Sequence, residues 1–278
     1  MSSPKNLLVR MRSNIEPLSK KLRIVTDYVL ENAQEVQFQT ITDLARNTNT
    51  SEATVIRLCR DLGYKGYSDF RMALAIELSQ AANQEASEEE GDICDVSARS
   101  AVDSLQDTAK LIDRDSLTRV CELVHQANFI GCVGVGASSI VGRYLAYRLI
   151  RIGKKAIMFE DTHIAAMNAS RCSKGDLWVS VSSSGSTKEV IHAASLAYKR
   201  SIPVVTLTNI NHSPLSEIST ELLVAARPEG PLTGGAFSSK VGALLLVDVL
   251  VNTLLDKYPQ YSDSVQETAE VVLPLMSN

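Results

Sequence analysis

Aromatic residues are scarce in this chain, and its cysteines are widely spaced. Only 5% of the 278 residues are aromatic, which argues against a surface that stacks the bases of single-stranded nucleic acid. The five cysteines show no C-x-x-C spacing that would predict a disulfide framework or a zinc site; they are Cys59, Cys94, Cys121, Cys132 and Cys172. We therefore expect a protein of the reducing cytoplasm, with no metal and no cofactor.

Long apolar runs are missing near the N-terminus. The charged residues Lys5, Arg10, Arg12 and Glu16 are followed by no stretch long enough for a signal peptide or a membrane span. This absence predicts a chain that neither carries a secretion signal nor enters a membrane.

Length and charge indicate two domains of different character. Residues 1–81 carry 11 Lys and Arg against 9 Asp and Glu, whereas the remainder carries 17 against 23. Residues 82–96 lose helical periodicity and include three consecutive glutamates at 88–90. We predict a first domain over 1–81, a linker or frayed helix end over 82–96, and a second domain over 97–278.

Apolar periodicity predicts a different fold for each domain. Leu22, Val25 and Val29 recur at helical spacing, and residues 1–80 show no alternating β-branched run, so the first domain is expected to be all-α. In the second domain, helical segments such as 139–152 and 188–200 separate five apolar strand candidates, at 129–135, 156–159, 177–181, 204–207 and 222–225. This alternation predicts an α/β domain with a five-stranded parallel sheet in a flavodoxin-like sandwich, followed by a long buried helix over 241–255.

Residues 40–62, TITDLARNTNTSEATVIRLCRDL, have the pattern of a helix-turn-helix. The apolar face of the second helix is predicted to consist of Val55, Ile56, Leu58, Cys59 and Leu62. Ser51 is a suitable N-cap for this helix, whose outward-facing residues then include Thr54, Arg57 and Arg60. That face suits a major groove, where Arg binds guanine or phosphate. An ordinary helical hairpin with a solvated basic face remains the alternative.

The next segment, GYKGYSDFR at 63–71, supplies Lys65, two glycines and two tyrosines that we expect to brace this helix and to touch phosphates. With it, residues 1–81 resemble the N-terminal domain of the RpiR family of regulators. The resemblance implies double-stranded operator DNA as a partner, bound by Ser51, Thr54, Arg57, Arg60 and Lys65.

Two glycine- and serine-bearing loops follow the first and third predicted strands: GVGASS at 134–139 and SSSGST at 182–187. Helix N-termini at that edge of a parallel sheet offer backbone N–H groups to an anion. A dinucleotide site would need Gly or Ala where Ser139 stands, and a purely structural use of the serines as caps and turns also remains open.

The two loops resemble those of the sugar isomerase (SIS) domain over about residues 105–270. The second motif, S-x-S-G-x-T-x-E, is complete, and the order of the two domains matches RpiR-type regulators. The resemblance implies that the phosphate contacts Ser138, Ser182, Ser184 and Thr187, with Ser139 in the same loop. By the same resemblance His163 matches a family D-x-H position and is expected to contact sugar hydroxyls, and Lys240 is expected to reach the phosphate or the sugar. A purely structural histidine and a solvated surface lysine remain the alternatives.

A DNA-binding domain ahead of a sugar-phosphate site favours a sensor over an enzyme. We expect a homodimeric transcriptional repressor that releases its operator when the effector binds, and no catalytic residues. A sugar-phosphate isomerase with an accessory helical domain is the alternative, although spacing identifies no base among His163, Glu189 and Glu229. A scaffold that binds neither ligand is a third possibility. The chain is also similar to regulators of sialic-acid catabolism that sense N-acetylmannosamine 6-phosphate, but none of these motifs specifies that sugar.

Overall fold

The computed structural model describes residues 7–13, 18–85, 92–226, 230–232 and 234–276. The chain divides into two compact units, Met1–Cys94 with Glu229–Gly234, and Asp95–Pro228 with Gly235–Asn278. Glu229 and residues 86–91 of the predicted linker lie outside the described residues.

The described residues of the first unit form helices joined by turns, and no strand, as predicted. Its helices are α1 (Leu7–Ser13), α2 (Lys20–Glu31), α3 (Ala33–Val36), α4 (Ile41–Asn47), α5 (Glu52–Asp61) and α6 (Tyr67–Glu85). Their apolar faces meet in one core because Val25, Leu44, Leu58 and Phe70 are all buried in it.

Helices occupy both ends of the segment predicted as a linker. Helix α6 continues to Glu85, and α7 already begins at Ile93. Asp92 helps to start α7, since its carboxylate accepts a hydrogen bond from the Cys94 backbone N–H at 2.8 Å. The domain boundaries at 81 and 97 stay predictions.

The second unit is an α/β sandwich around five parallel strands. The strands are β1 (Phe129–Gly134), β2 (Ala156–Phe159), β3 (Asp176–Val181), β4 (Val204–Thr208) and β5 (Glu221–Val224). The helices are α7 (Ile93–Leu111), α8 (Arg114–Gln126), α9 (Ala137–Arg151), α10 (Thr162–Ala169), α11 (Lys188–Lys199), α12 (Phe237–Lys257) and α13 (Gln260–Met276). The predicted strands are confirmed to within a residue at each end.

Apolar residues cover both faces of this sheet. Alternate strand residues such as Ile130 and Val179 pack with α8, α9 and α12 on one face. Val133 and Trp178 pack with α10 and α11 on the other. The strand order β2-β1-β3-β4-β5 is the flavodoxin-like order, whose ligand crevice lies where the connections diverge, between β1 and β3.

Helix α12 has the length and hydropathy of a membrane span, at 21 residues and a mean hydropathy of 1.5. Leu246, Val247, Leu250 and Leu254 are nevertheless buried in the core of the second unit. Because those side chains pack against protein, we interpret α12 as the long buried helix predicted over 241–255.

Candidate functional site

Helices α4 and α5 form the predicted helix-turn-helix. Thr40 begins α4 with a capping box: its hydroxyl accepts from the Asp43 N–H at 3.1 Å, and the Asp43 carboxylate accepts from the Thr40 N–H at 2.9 Å. The turn reverses at Asn49, whose φ of +50° lies in the left-handed region that Asn tolerates. Ser51 then caps α5 as predicted, because its hydroxyl accepts from the Thr54 N–H at 3.3 Å.

The predicted polar face of α5 lies on the surface. Ser51, Arg57 and Arg60 are exposed, and Thr54 is half-buried with its hydroxyl 3.0 Å from that of Ser51. Ile56 was expected on the apolar face but is half-buried, because the core takes the residues at 55, 58 and 59 instead. The spacing therefore gave the outward side of α5 correctly and overstated its inward side.

The charges on α5 are held by weak interactions. Arg57 Nε lies 3.9 Å from Asp61 Oδ2, with side chains 71% and 49% exposed. An ion pair this open to water contributes little stability, so the guanidinium can exchange it for a phosphate at small cost. Lys65 is also exposed, and its backbone N–H donates to Asp69 at 3.1 Å ahead of α6.

The aromatic residues after α5 brace it from inside. Tyr64, Tyr67 and Phe70 are buried, and the Tyr67 hydroxyl donates to the Gln39 carbonyl at 3.1 Å. Burial raises the pKa of Tyr67 well above its ordinary value. The expectation that these tyrosines brace the helix is confirmed, whereas the expectation that they touch phosphates is wrong for the structure described, because their rings are inside the core.

Arg10 of α1 contacts the C-terminal end of α5. Its Nη2 donates to the Leu62 carbonyl at 2.7 Å, where the last carbonyls of a helix carry partial negative charge. No sequence pattern indicates this contact, because the two residues are 52 positions apart.

The two serine loops of the second unit lie side by side. Gly134, the last residue of β1, is in register with Val181, the last residue of β3. Gly136 has a φ of +59° and turns the chain into α9, which begins two residues earlier than predicted. Ser138 is consequently buried in the first turn of α9, and the Ser139 hydroxyl donates to the Gly136 carbonyl at 2.8 Å.

The loop after β3 is organised by its own hydroxyls. Ser182 Oγ accepts from the Gly185 N–H at 3.1 Å and lies 3.2 Å from Thr187 Oγ1. Ser184 Oγ accepts from the Ser186 N–H at 3.3 Å. The serines thus act as turn residues, and a hydroxyl that accepts through its oxygen can still donate its proton to an anion.

Lys240 approaches this loop from the first turn of α12. The residue is 7% exposed, and its Nζ donates to Ser183 Oγ at 2.6 Å. The alternative of a solvated surface lysine is therefore excluded. A buried ammonium within one hydroxyl of the loop favours an anionic ligand there.

His163 borders an open cleft at the start of α11, the helix that follows the β3 loop. The cleft, of about 360 Å³, lies between the first turns of α10 and α11, and its lining includes Lys188, Glu189 and His192. Backbone hydrogen bonds from the first turn of α10 hold the pKa of the Asp161 carboxyl below its ordinary value. Asp161 thereby fixes the start of the helix that carries His163.

Comparisons with known proteins bear on both sites. Residues 5–81 match the helix-turn-helix domain of the rpiR family, and residues 123–253 match the SIS domain. The uncharacterised regulator YbbH of Bacillus subtilis is 30% identical over 88% of this chain and 87% of its own length.

The chain belongs to the RpiR family of helix-turn-helix regulators.

Two solved structures agree with that membership. The Vibrio vulnificus NanR protein, solved in complex with ManNAc-6P, is 81% identical and superposes with a TM-score of 0.89 over 98% of this chain and 100% of its own. The sugar isomerase domain of an RpiR transcription factor from Sphaerobacter thermophilus shares the fold at 20% identity, with a TM-score of 0.58 over 65% of this chain and 99% of its own. This RpiR-family chain is thus a DNA-binding transcriptional regulator and not an isomerase.

Several residues at the two sites were missed by sequence reasoning. Ser183 lies in the quoted loop but was not singled out, although a run of three serines was a signal that its hydroxyl could take part. His192 and Lys188 follow the loop at the start of α11 and line the cleft with His163. No sequence motif distinguishes them from ordinary helix surface residues.

Metal chemistry finds no support in the part of the chain that the structure describes. No group of three or more His, Cys, Asp or Glu side chains there could hold an ion. All five cysteines are free, and burial raises the pKa of Cys59 and Cys132 to about 12. Those two thiols are therefore protonated and unreactive at neutral pH.

Proposed function

We propose that this regulator represses an amino-sugar catabolic operon, that of sialic acid, and releases it when N-acetylmannosamine 6-phosphate binds. One observation carries the proposal: a chain 81% identical over its whole length was solved with ManNAc-6P. The hydroxyl-lined loop pair at the ligand crevice of the sheet is consistent with such a ligand. A repressor of this kind works in the cytoplasm, where its operator is.

The effector's phosphate binds between the β1 and β3 loops. Its ligands are the hydroxyls of Ser138, Ser182, Ser184 and Thr187, and Lys240 supplies the positive charge. Neutral donors at two helix N-termini together with one buried ammonium form a suitable site for a dianion. Ser139 completes the first loop, and His163 contacts the hydroxyls of the sugar.

Operator DNA binds the exposed face of α5. Arg57 and Arg60 contact base edges or phosphates in the major groove, and Ser51 and Thr54 contact the groove at the N-terminus of the helix. Lys65 reaches the phosphate backbone beside it. Capping of α5 by Ser51 supports this role, because a recognition helix reads DNA best when its first turn is ordered.

Two copies of the chain bind one operator. Operators read by helix-turn-helix proteins have two-fold symmetry, which a homodimer matches. The surface of α9 supports a dimer: Ile140, Tyr147 and Ile150 are 51%, 59% and 49% exposed at helical spacing. A variant with Tyr147→Lys and Ile150→Glu is expected to sediment as a monomer.

Release of the operator requires that the effector bind one state of the protein better than the other. A coupling of about 1–3 kcal/mol would weaken DNA binding roughly 5- to 150-fold. Repression relieved by a sugar phosphate therefore demands only a modest difference between the two states.

The test uses double-stranded DNA that the chain itself selects from a random pool. Arg60→Ala should weaken binding of that DNA and reduce the slope of log affinity against log salt by about 1, while binding of N-acetylmannosamine 6-phosphate is kept. Ser182→Ala with Ser184→Ala should abolish effector binding and keep DNA binding. Selection of no DNA by the chain, or loss of both activities in every variant, would refute the division of roles. Turnover of the sugar phosphate at enzymatic rates would show that the chain is not merely a sensor.

A further inference from the structure

Helix α7 packs against the rest of the second unit through buried hydroxyl groups. Ser104 and Thr108 are its buried residues, each 0% exposed, whereas Val96, Val102 and Leu111 on the same helix are exposed. Burial of apolar side chains is what ordinarily attaches a helix to a core, and a buried hydroxyl costs free energy unless it is hydrogen-bonded. The contact therefore fixes the position of α7 more than it adds hydrophobic stabilisation.

Both hydroxyls hold the segment that leads from β5 into α12. Thr108 Oγ1 accepts from the Ala226 N–H at 3.0 Å, just after the strand. Ser104 Oγ donates to the Ser238 carbonyl at 2.5 Å, in the first turn of the helix. Helix α7 therefore fixes both ends of this connection.

Gly242 allows the two helices to approach closely. A Cβ at this position would lie 2.6 Å from Thr108 Oγ1 and 3.1 Å from Ser104 Oγ. Any larger residue would push α7 away from the turn of α12 that carries Lys240. With such close packing, a shift of that turn cannot leave α7 in place.

The first turn of α12 also contacts the loop after β3, which is the proposed effector loop. Lys240 donates to Ser183 Oγ at 2.6 Å, and the Ser183 carbonyl accepts from the Asn209 N–H at 3.2 Å. Asn209 Nδ2 in turn donates to the Ala226 carbonyl at 2.7 Å. Ala226 is thus held by α7 through its N–H and by the end of β4 through its carbonyl, which closes a polar network between the loop and α7.

We propose that Ser104 and Thr108 are positioning residues of the effector site and that they couple it to α7. They set the place of the Lys240 ammonium. An anion at the β3 loop draws that ammonium away from Ser183, the first turn of α12 follows, and α7 moves with it. In the chain, α7 is the first helix after the DNA-binding unit, so its displacement reaches the linker directly. The inference rests on the proposed function, because it requires an anionic effector at this loop.

The test compares four variants of the full-length chain. Thr108→Val and Ser104→Ala each remove one hydroxyl, whereas Thr108→Ser keeps the hydroxyl at its position. As a control, Thr118→Val removes an exposed hydroxyl of α8 that bonds within its own helix. The measurements are the Kd for N-acetylmannosamine 6-phosphate by calorimetry and the affinity for the selected DNA with and without that sugar phosphate.

The first two variants should raise the effector Kd about tenfold and reduce the factor by which effector weakens DNA binding, since each leaves a buried polar group without its partner. Thr108→Ser and Thr118→Val should stay within about twofold of the wild type. A merely structural role would lower the melting temperature and leave Kd and coupling factor unchanged.

Hydrogen exchange of the unaltered chain provides a readout that needs no variant. Effector should change the exchange of backbone amides in 104–112 and 238–242 together. Wild-type Kd and coupling in folded Thr108→Val and Ser104→Ala, or exchange that changes only at the β3 loop, would overturn the coupling and leave the proposed function standing. Absence of effector binding to the wild-type chain would overturn both.

Discussion

Replacing Gly185 with Ala tests the geometry of the loop after β3 most directly. The residue has a φ of +59°, which costs about 1–2 kcal/mol for a side chain with a Cβ. The added Cβ would also lie 2.1 Å from Ser213 Oγ, so Ser213 must move. That movement breaks the bond that Ser213 Oγ accepts from the Ser216 N–H at 3.2 Å, a net loss of about 0.5–1.5 kcal/mol.

We therefore expect Gly185→Ala to lower the free energy of unfolding of the second unit by about 1.5–3.5 kcal/mol. Urea titration followed by tryptophan fluorescence measures this unit alone, because Trp178 is the sole tryptophan and is buried in β3. Under the proposed function, the deformed loop should also lose most of the stabilisation expected from N-acetylmannosamine 6-phosphate.

A second background separates the two costs. With Ser213→Gly already present, Gly185→Ala no longer displaces a hydroxyl and should cost only the backbone share, about 1–2 kcal/mol. Gly136→Ala is the matched control, because φ there is also +59° but no atom lies within 4 Å of the added Cβ, so its cost should be equal in both backgrounds. A cost below about 0.5 kcal/mol for Gly185→Ala, or one unaffected by Ser213→Gly, would refute the reasoning.

Three further predictions concern other contacts. Arg10→Ala removes the hydrogen bond to the Leu62 carbonyl and should lower the unfolding free energy of the first unit, followed by circular dichroism in urea, by about 1–2 kcal/mol. A thiol reagent at neutral pH should modify Cys94 rapidly, since it is exposed, and the buried Cys59, whose pKa is raised to about 12, only on unfolding. The depressed pKa of Asp161 means that its cap stabilises the fold above the unfolded-state pKa and is lost as pH falls through the folded-state pKa. Asp161→Asn, which caps without titrating, should therefore lose less stability than the wild type when the medium is acidified from about pH 5 to pH 2.

Each of these has a control. Arg12→Ala, on an exposed position of α1, should leave the first unit as stable as the wild type. Two or more rapidly modified thiols would contradict the burial of the other cysteines. Equal acid sensitivity of Asp161→Asn and the wild type would show that the carboxylate cap contributes nothing to the pH dependence.

The helix-turn-helix and the two loops that follow β1 and β3 were predictable because their signals are local. Ser51 caps the helix that begins one residue later, and Gly136 and Gly185 mark turns within a few residues of the strands they follow. Apolar runs that are separated by helical segments likewise predict strands, without knowledge of which strands pair. Such features depend on neighbours within about a turn, so the sequence carries them openly.

The contacts that hold the other side chains of the site in place were not predictable, because they join residues far apart in the chain. Lys240 meets Ser183 across 57 positions, and Thr108 meets Ala226 across 118. Ile56 shows the same limit from the other direction, since helical spacing permits it to be buried and only the packing of neighbouring helices decides that it is half-exposed. Neither the burial of a lysine nor that of two hydroxyls follows from any periodicity.

The two sites differ in how they obtain their positive potential, and this has a consequence for regulation. The face of α5 offers exposed guanidinium groups, whose attraction for DNA depends on release of counterions and weakens steeply with salt. The proposed effector site instead uses backbone N–H groups, hydroxyls and the buried ammonium of Lys240, which mobile ions screen little. Under the proposed function, we therefore expect rising ionic strength to weaken operator binding more than effector binding, so that release needs less coupling at high salt than at low salt.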